Sequence, residues 1–172
     1  MRGVLVFSVL AVACAATTQP ANVELSGTSI GPVRFGMTAS DIAELGLPTH
    51  RDQVSLEGDA YDRITVTVGD GEAIVIILQG DRVGDIETAS SVFETANGAS
   101  VGDTLSELRA LYPTGEVNIG REEGGYFNFE TPEHGFFELD RTGVPESCFD
   151  YNGECPDLGA QRSTSYRIRD VS

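Results

Sequence analysis

The stretch Val33–Leu45, which reads VRFGMTASDIAEL, has a counterpart at Ala99–Leu111, which reads ASVGDTLSELRAL. At an offset of 66 residues (102 minus 36), both follow the pattern G-x-T-x-S-[DE]-[IL]-x-x-L. The threonine is a favourable helix N-cap, because its hydroxyl accepts a hydrogen bond from a free amide of the first turn. The acid three residues later can return a bond to the cap's own amide, which completes a capping box. The pattern therefore predicts two short amphipathic helices, over 38–45 and 104–112.

Segments with the two-residue period of β-strands follow both predicted helices. Arg63–Val68 alternates β-branched apolar residues with polar ones, and Glu72–Leu78 is almost continuously apolar. The polar segment Thr49–Asp62 offers only a weak strand signal, at Gln53–Leu56. The other predicted strands are Val23–Leu25, Arg82–Thr88, Glu116–Ile119, Tyr126–Glu130, Phe136–Asp140 and Ser165–Val171. The sequence thus predicts an α+β fold of two tandem units, each a short helical segment followed by an antiparallel β-meander.

The two units are expected to span residues 33–98 and 99–172, after an N-terminal lead-in at 17–32. Near their ends, Arg82 and Ile86 match Arg167 and Val171 at an offset of 85 (167 minus 82). This offset exceeds that of the helices by 19 residues (85 minus 66). The difference predicts an insertion in the second unit at about 141–162.

The first sixteen residues have the composition of a signal peptide. Arg2 provides a basic start, Val4–Val12 is apolar, and small residues follow. The apolar run is too short to span a bilayer. Two readings stay open: plain export, or a lipoprotein in which Cys14 of the Leu10–Cys14 stretch is the lipidation site. Both place the mature chain outside the cytoplasm, in the periplasm, in the extracellular space or on the outer membrane.

The charged residues argue against two kinds of partner and exclude chemistry that needs a lysine. The chain has 27 acidic and 11 basic residues and a formal charge of −16. Such an excess argues against nucleic acid and anionic membranes as partners. It favours either a cationic partner or simple solubility in a salty medium. All the basic residues are arginines, so Schiff-base chemistry and a P-loop lysine are excluded.

Cys148 and Cys155 are the cysteines that stay available if Cys14 is cleaved off or lipidated. A cysteine pair in an exported chain predicts a disulfide, and Asn152–Gly153 between them is a strong turn signal. A metal site is the alternative, but no histidine lies near the two thiols. The bridge would close a loop inside the predicted insertion.

A group of aromatic residues is the best candidate for a binding surface. On a strand, alternate side chains face opposite sides, so part of this group is expected to build the core instead. An exposed remainder would serve as an interface anchor. The group consists of Tyr126, Phe127, Phe129, Phe136 and Phe137.

Catalytic and metal-binding motifs are weak. Gly27–Gly31 matches G-x-S-x-G with Ser29 as nucleophile, but Pro32 follows where a nucleophile elbow needs a helix. His50 and His134 show no ligand spacing. The sequence therefore predicts no cofactor and no metal.

The phrase Gly36-Met37-Thr38 with Asp41 and Ile42 resembles the helix-start signature of the SmpA/OmlA (BamE) envelope lipoproteins. It is similar also to the β-lactamase inhibitor protein fold, which joins two units of a short helical segment and an antiparallel sheet. The chain departs from the inhibitor in having one candidate cysteine pair where that family has one in each repeat. The resemblance implies a fold and an envelope or extracellular location, and it transfers no contact residue.

These observations lead to a functional expectation. The chain is expected to be an exported, non-enzymatic protein-binding domain, with enzyme inhibition as one form of that binding. The alternatives are a small exported hydrolase, using Ser29 or a carboxylate pair, and a structural envelope lipoprotein anchored through Cys14. The expected partner is a protein, cationic by charge complementarity; nucleic acid is not expected, and a membrane is expected only through a lipid anchor.

Export gives the first testable prediction. We expect cleavage between Ala13 and Ala16, because small residues follow the apolar run there. Intact-mass spectrometry of the exported protein measures the new N-terminus. A diacylglyceryl mass on Cys14 would select the lipoprotein reading, and an uncleaved product in the cytoplasm would contradict both readings.

Overall fold

The computed structural model of the chain describes residues 24–121, 125–150 and 155–169. The predicted signal peptide 1–16, with Cys14, lies outside the described residues, as does the lead-in up to residue 23. No helix within these ranges combines the length and the apolar character that crossing a membrane requires.

The described part of the chain is built mainly of β-strands. The elements in chain order are β1 (Glu24–Leu25), β2 (Ser29–Ile30), β3 (Val33–Arg34), α1 (Ala39–Glu44), β4 (Thr49–Leu56), β5 (Asp59–Val68), β6 (Glu72–Gln79), β7 (Arg82–Thr88), β8 (Glu94–Thr95), α2 (Leu105–Leu111), β9 (Glu116–Gly120), β10 (Tyr126–Glu130), β11 (Phe136–Leu139), a 3-10 helix (Glu146–Phe149) and β12 (Ser163–Arg169).

Eight of these strands form one large antiparallel sheet. Its order is β4-β5-β6-β7-β12-β11-β10-β9. The first four strands come from the first half of the chain and the other four from the second half. They meet where β7 pairs with β12, with Ile86 opposite Ile168. We call this pairing the central seam.

A second, smaller sheet has the order β3-β2-β1-β8. Its β1 and β8 strands run parallel, and the other pairs are antiparallel. Each of its strands has two residues, and β2 and β3 contact β7 of the large sheet.

The predicted α+β fold of two tandem units, each a short helical segment followed by an antiparallel meander, is wrong. The helices α1 and α2 have only six and seven residues. Strands from both halves share one continuous eight-stranded sheet, and a four-stranded mixed sheet is added to it. The two meanders join edge to edge at the central seam, where Ile86 and Ile168 lie opposite each other and are fully buried in one shared core.

The core lies on one side of the large sheet. Alternate residues of the strands face it, such as Val66, Ile76, Ile86, Tyr166 and Phe137. The helices cover the same side: Ile42 of α1 and Leu105 and Leu108 of α2 belong to this buried cluster. The rings of Phe137 and Tyr166 meet there at a centroid distance of 4.8 Å. The opposite side of the sheet is consequently available for other contacts.

The predicted capping boxes are confirmed at both helices. The amide of Asp41 donates to the Thr38 hydroxyl, at 3.2 Å, and the Thr38 amide donates to the Asp41 carboxylate, at 2.7 Å. At the second helix, the corresponding bonds between Thr104 and Glu107 measure 3.3 and 2.8 Å. Both acids have a lowered pKa, chiefly because the threonine amide donates to the carboxylate.

The glycine of the shared pattern is held by an arginine in both places. Arg82 donates from Nη1 to the carbonyl of Gly36, and Arg162 donates from Nη1 to the carbonyl of Gly102, each at 2.7 Å. Both glycines have positive φ, 76° and 105°, which favours glycine at these positions. The residue that repeats the contact of Arg82 is therefore Arg162, and not Arg167 as the offset of 85 suggested.

The N-caps give a stability prediction. Thr104→Ala should lower the free energy of unfolding by about 1 kcal/mol, because the Glu107 amide loses its acceptor. Urea denaturation followed by far-UV circular dichroism measures this difference. Thr104→Ser keeps the hydroxyl and is the control, so an equal loss in both variants would contradict a capping role.

Candidate functional site

The side of the large sheet that faces away from the core, which we call the open face, carries a continuous row of side chains. One residue from each strand lies in register across it, by the pairings of adjacent strands. Apolar members of the open face, such as Val75, Ile77 and Phe136, are partly exposed and take no part in the core that the described residues form. In order from β4 to β9, the row is His50, Thr65, Val75, Glu87, Arg167, Phe136, Glu130 and Glu116.

An ion pair occupies the middle of the open face. Arg167 donates from Nε to both carboxylate oxygens of Asp85, at 2.9 Å each, and also from Nη2. The Asp85 side chain is 9 % exposed and that of Arg167 is 28 % exposed. Arg169 approaches the same carboxylate, with Nε at 3.6 Å. Asp85 therefore orients both guanidinium groups toward the central seam.

Glu138 on β11 adds a carboxylate to this region. It is partly buried, and no described residue donates a hydrogen bond to its carboxylate or pairs with it within 4 Å. Burial raises its pKa, and the nearby carboxylate of Glu87 adds to that rise. The positive charges of Arg167, Arg169 and Arg141 lower the pKa of Glu138, but their effect is smaller than that of burial. A half-buried carboxylate with a raised pKa beside a hollow is a candidate functional group.

Glu138 borders two adjoining hollows. The smaller has a volume of about 180 Å³ and is lined by Asn128, Phe136, Glu138, Arg167 and Arg169. We call it the Phe136–Glu138 hollow. The larger, of about 450 Å³, shares the wall around Glu138 and extends to Tyr126 and Arg141.

The outer strands of the open face end in acidic and amide side chains. Glu130 lies opposite Phe136 and accepts hydrogen bonds from Asn118, at 3.3 Å, and from His134 Nδ1, at 3.0 Å when that nitrogen carries the proton. Asn118 also donates to Oδ1 of Asn128, at 3.3 Å. These bonds align the side chains of β9 and β10 beside the hollow.

The five predicted aromatic residues are divided between the two sides of the sheet. Phe127, Phe129 and Phe137 are at most 1 % exposed and belong to the core. Tyr126 is 38 % exposed, and Phe136 is partly exposed on the open face. The ring of Tyr126 lies across Gly120, where an added Cβ would come within 2.6 Å of it.

The predicted disulfide is present. Cys148 and Cys155 are bonded, with their Cα atoms 4.7 Å apart. Cys148 lies in the 3-10 helix, which contacts β9, and Arg121 at the end of β9 pairs with Asp150 at 2.8 Å. The 3-10 helix that carries Cys148 thus packs beside the outer strand β9 of the second half.

Ser29 and the two histidines are not brought together in the structure. Ser29 lies in β2, and β3 follows it where a nucleophile elbow requires a helix. Its hydroxyl is hydrogen-bonded to the hydroxyl of Ser26, at 2.8 Å. His50 is exposed on the edge strand β4, and His134 is bonded to Glu130. Across the described ranges, no three His, Cys, Asp or Glu side chains are grouped in a way that could hold a metal ion.

Comparisons with known proteins add a structural likeness. No protein-family model and no curated protein matches the chain. Among solved structures, the chain is similar to the uncharacterized protein YfeY from Escherichia coli, with a TM-score of 0.57. The likeness covers 88 % of this chain and 100 % of that chain, at 15 % sequence identity. At this identity it concerns the fold alone.

Glu138 gives a prediction with a defined pH dependence. Its folded pKa is raised above the unfolded value of about 4.3, so the ionised carboxylate reduces stability at pH values above the folded pKa. Glu138→Gln should therefore raise the thermal midpoint near pH 7.5. The gain should shrink as the pH falls through the folded pKa and vanish below about pH 4, where the carboxyl is protonated in both states.

Thermal unfolding measured across this pH range tests the prediction. Glu44→Gln removes an exposed carboxylate from α1 and is the matched control. A loss of stability in Glu138→Gln at pH 7.5, or an equal gain in Glu44→Gln, would contradict it.

Proposed function

We propose that the chain is an exported, non-enzymatic protein-binding domain of the cell envelope or extracellular space, and that its partner docks on the open face. The observation that carries the proposal is the row of partly exposed side chains across all eight strands. Tyr126, Phe136, Val75 and Ile77 supply apolar and aromatic contacts, and charged groups surround them. Interfaces are typically organised in this way, with aromatic anchors inside a polar surround.

Two further observations support the proposal. The disulfide Cys148–Cys155 is the kind of bond that persists in oxidising compartments outside the cytoplasm. The net charge of −16 favours a cationic partner and disfavours nucleic acid. Inhibition of an enzyme is one form that such binding can take.

Anchoring is compatible with this function. The stretch Leu10–Cys14 favours a second form of the protein, in which a lipid on Cys14 holds the domain at the membrane. The open face would then present its side chains to a partner in the same compartment. The hydrolase reading through Ser29 has less support, because Ser29 lies in the two-residue strand β2 and its hydroxyl contacts Ser26.

Site-specific photo-crosslinking tests the docking face. A benzoylphenylalanine at position 126 replaces an exposed aromatic side chain of the open face, so we expect it to capture a discrete protein from an envelope extract. The same group at position 44 lies on α1, which packs on the core side of the sheet, and it is the matched control. Capture of the same product from position 44, or of no product from position 126, would contradict the proposal.

A further inference from the structure

The Phe136–Glu138 hollow has the chemistry of a receptor for a positively charged side chain. Building on the proposed protein-binding function, we infer that this hollow receives a lysine or arginine side chain of the partner protein.

The Glu138 carboxylate is only partly compensated by the surrounding charges. The guanidinium groups of Arg167 and Arg169 both approach Asp85, and their attraction lowers the pKa of Glu138 without outweighing the effect of its burial. Glu138 is partly buried and accepts no hydrogen bond from a described residue. A half-buried carboxylate without a donor is destabilising, and a cation that enters the hollow would supply both the donor and the charge.

Phe136 forms an aromatic wall of the hollow. Phe136 is two residues from Glu138 on β11, so both side chains point to the open face. Glu130 on β10 lies directly opposite Phe136 and adds a second carboxylate beside the ring. A cation above an aromatic face is attracted by the ring's quadrupole, and adjacent carboxylates strengthen the site.

The hollow has a limited size and one further polar wall. Its volume is about 180 Å³, and it adjoins the larger hollow of about 450 Å³. Asn128 also lines it, and the Oδ1 of Asn128 already receives a hydrogen bond from Asn118. The Glu138 carboxylate is therefore the charged acceptor that a guanidinium or ammonium group would meet.

The opposite assignment, an anionic group bound by Arg167 and Arg169, fits less well. Arg167 already makes a bidentate contact with Asp85, and an anion would have to share it. A net charge of −16 also repels an approaching anion and attracts a cation.

A pair of isosteric peptides tests the inference without knowledge of the partner. The ligands are acetyl-Gly-Arg-Gly-amide and the same peptide with citrulline, which keeps the shape of arginine and removes its charge. Titration followed by NMR chemical shifts gives the affinity and the location of binding. We expect shifts at Asn128, Phe136 and Glu138, and at least tenfold tighter binding of the arginine peptide.

The variants separate the hollow from the general attraction of an acidic protein. Glu138→Gln should lower the affinity for the arginine peptide about tenfold, to the level of the citrulline peptide. Glu44→Gln makes the same change of charge on α1 and should stay within twofold of the unmodified chain. Phe136→Leu keeps an apolar side chain and should weaken the arginine peptide while leaving the citrulline peptide unchanged.

Two results would overturn the inference: equal binding of the two peptides, or an equal loss in Glu138→Gln and Glu44→Gln. Its failure is distinguishable from that of the proposed function. If position 126 still captures the partner and Glu138→Gln does not weaken that capture, the docking face stands and the cation site is overturned. If the peptides are discriminated but position 126 captures nothing, the cation site stands and the docking face is overturned.

Discussion

Main-chain hydrogen bonds join the residue before each N-cap threonine to the start of a strand of the large sheet. These bonds fix how the helices lie on the sheet. Val83 donates to the carbonyl of Met37 at 2.8 Å, and Ser163 donates to the carbonyl of Asp103 at 2.9 Å. Because these main-chain bonds have a defined direction, each helix begins at one position above the sheet and turns its apolar stripe toward the core. Both helices are therefore kept on one side of the sheet, and the other side is left to the open face, where Glu138 lies.

The local features of the fold could be predicted from the sequence, and the long-range ones could not. A capping box is a contact between residues three apart, so the pattern at Thr38 and Thr104 is sufficient to identify it. The continuity of the sheet depends on the pairing of β7 with β12, which no local pattern reports. The edge strand β4 was largely missed, because its outward-facing polar residues lack the alternation that marks a half-buried strand.

The sequence predicts the candidate site only in part, because it does not show which side of the sheet each residue of a strand faces. Phe136 and Phe137 are adjacent, so one had to face the core and the other the surface, and the sequence did not say which. Register supplies the answer, since Phe137 lies opposite Tyr166 in the core. Glu138 is a candidate group because Arg167 and Arg169 both approach Asp85. Asp85 and Glu138 are more than fifty positions apart in the sequence (138 minus 85), so no local pattern indicates this relation.

The central seam has a consequence for the order of folding. The paired residues Ile86 and Ile168 are 82 positions apart (168 minus 86), whereas the hairpins on either side join neighbouring strands. Closing a long loop has an entropic cost that must be met before the seam's contacts can compensate for it. We therefore expect the two meanders to form early and the seam to close late. During synthesis, β7 would leave the ribosome well before β12 and stay with an unpaired edge until β12 arrives, a state that chaperones are suited to protect.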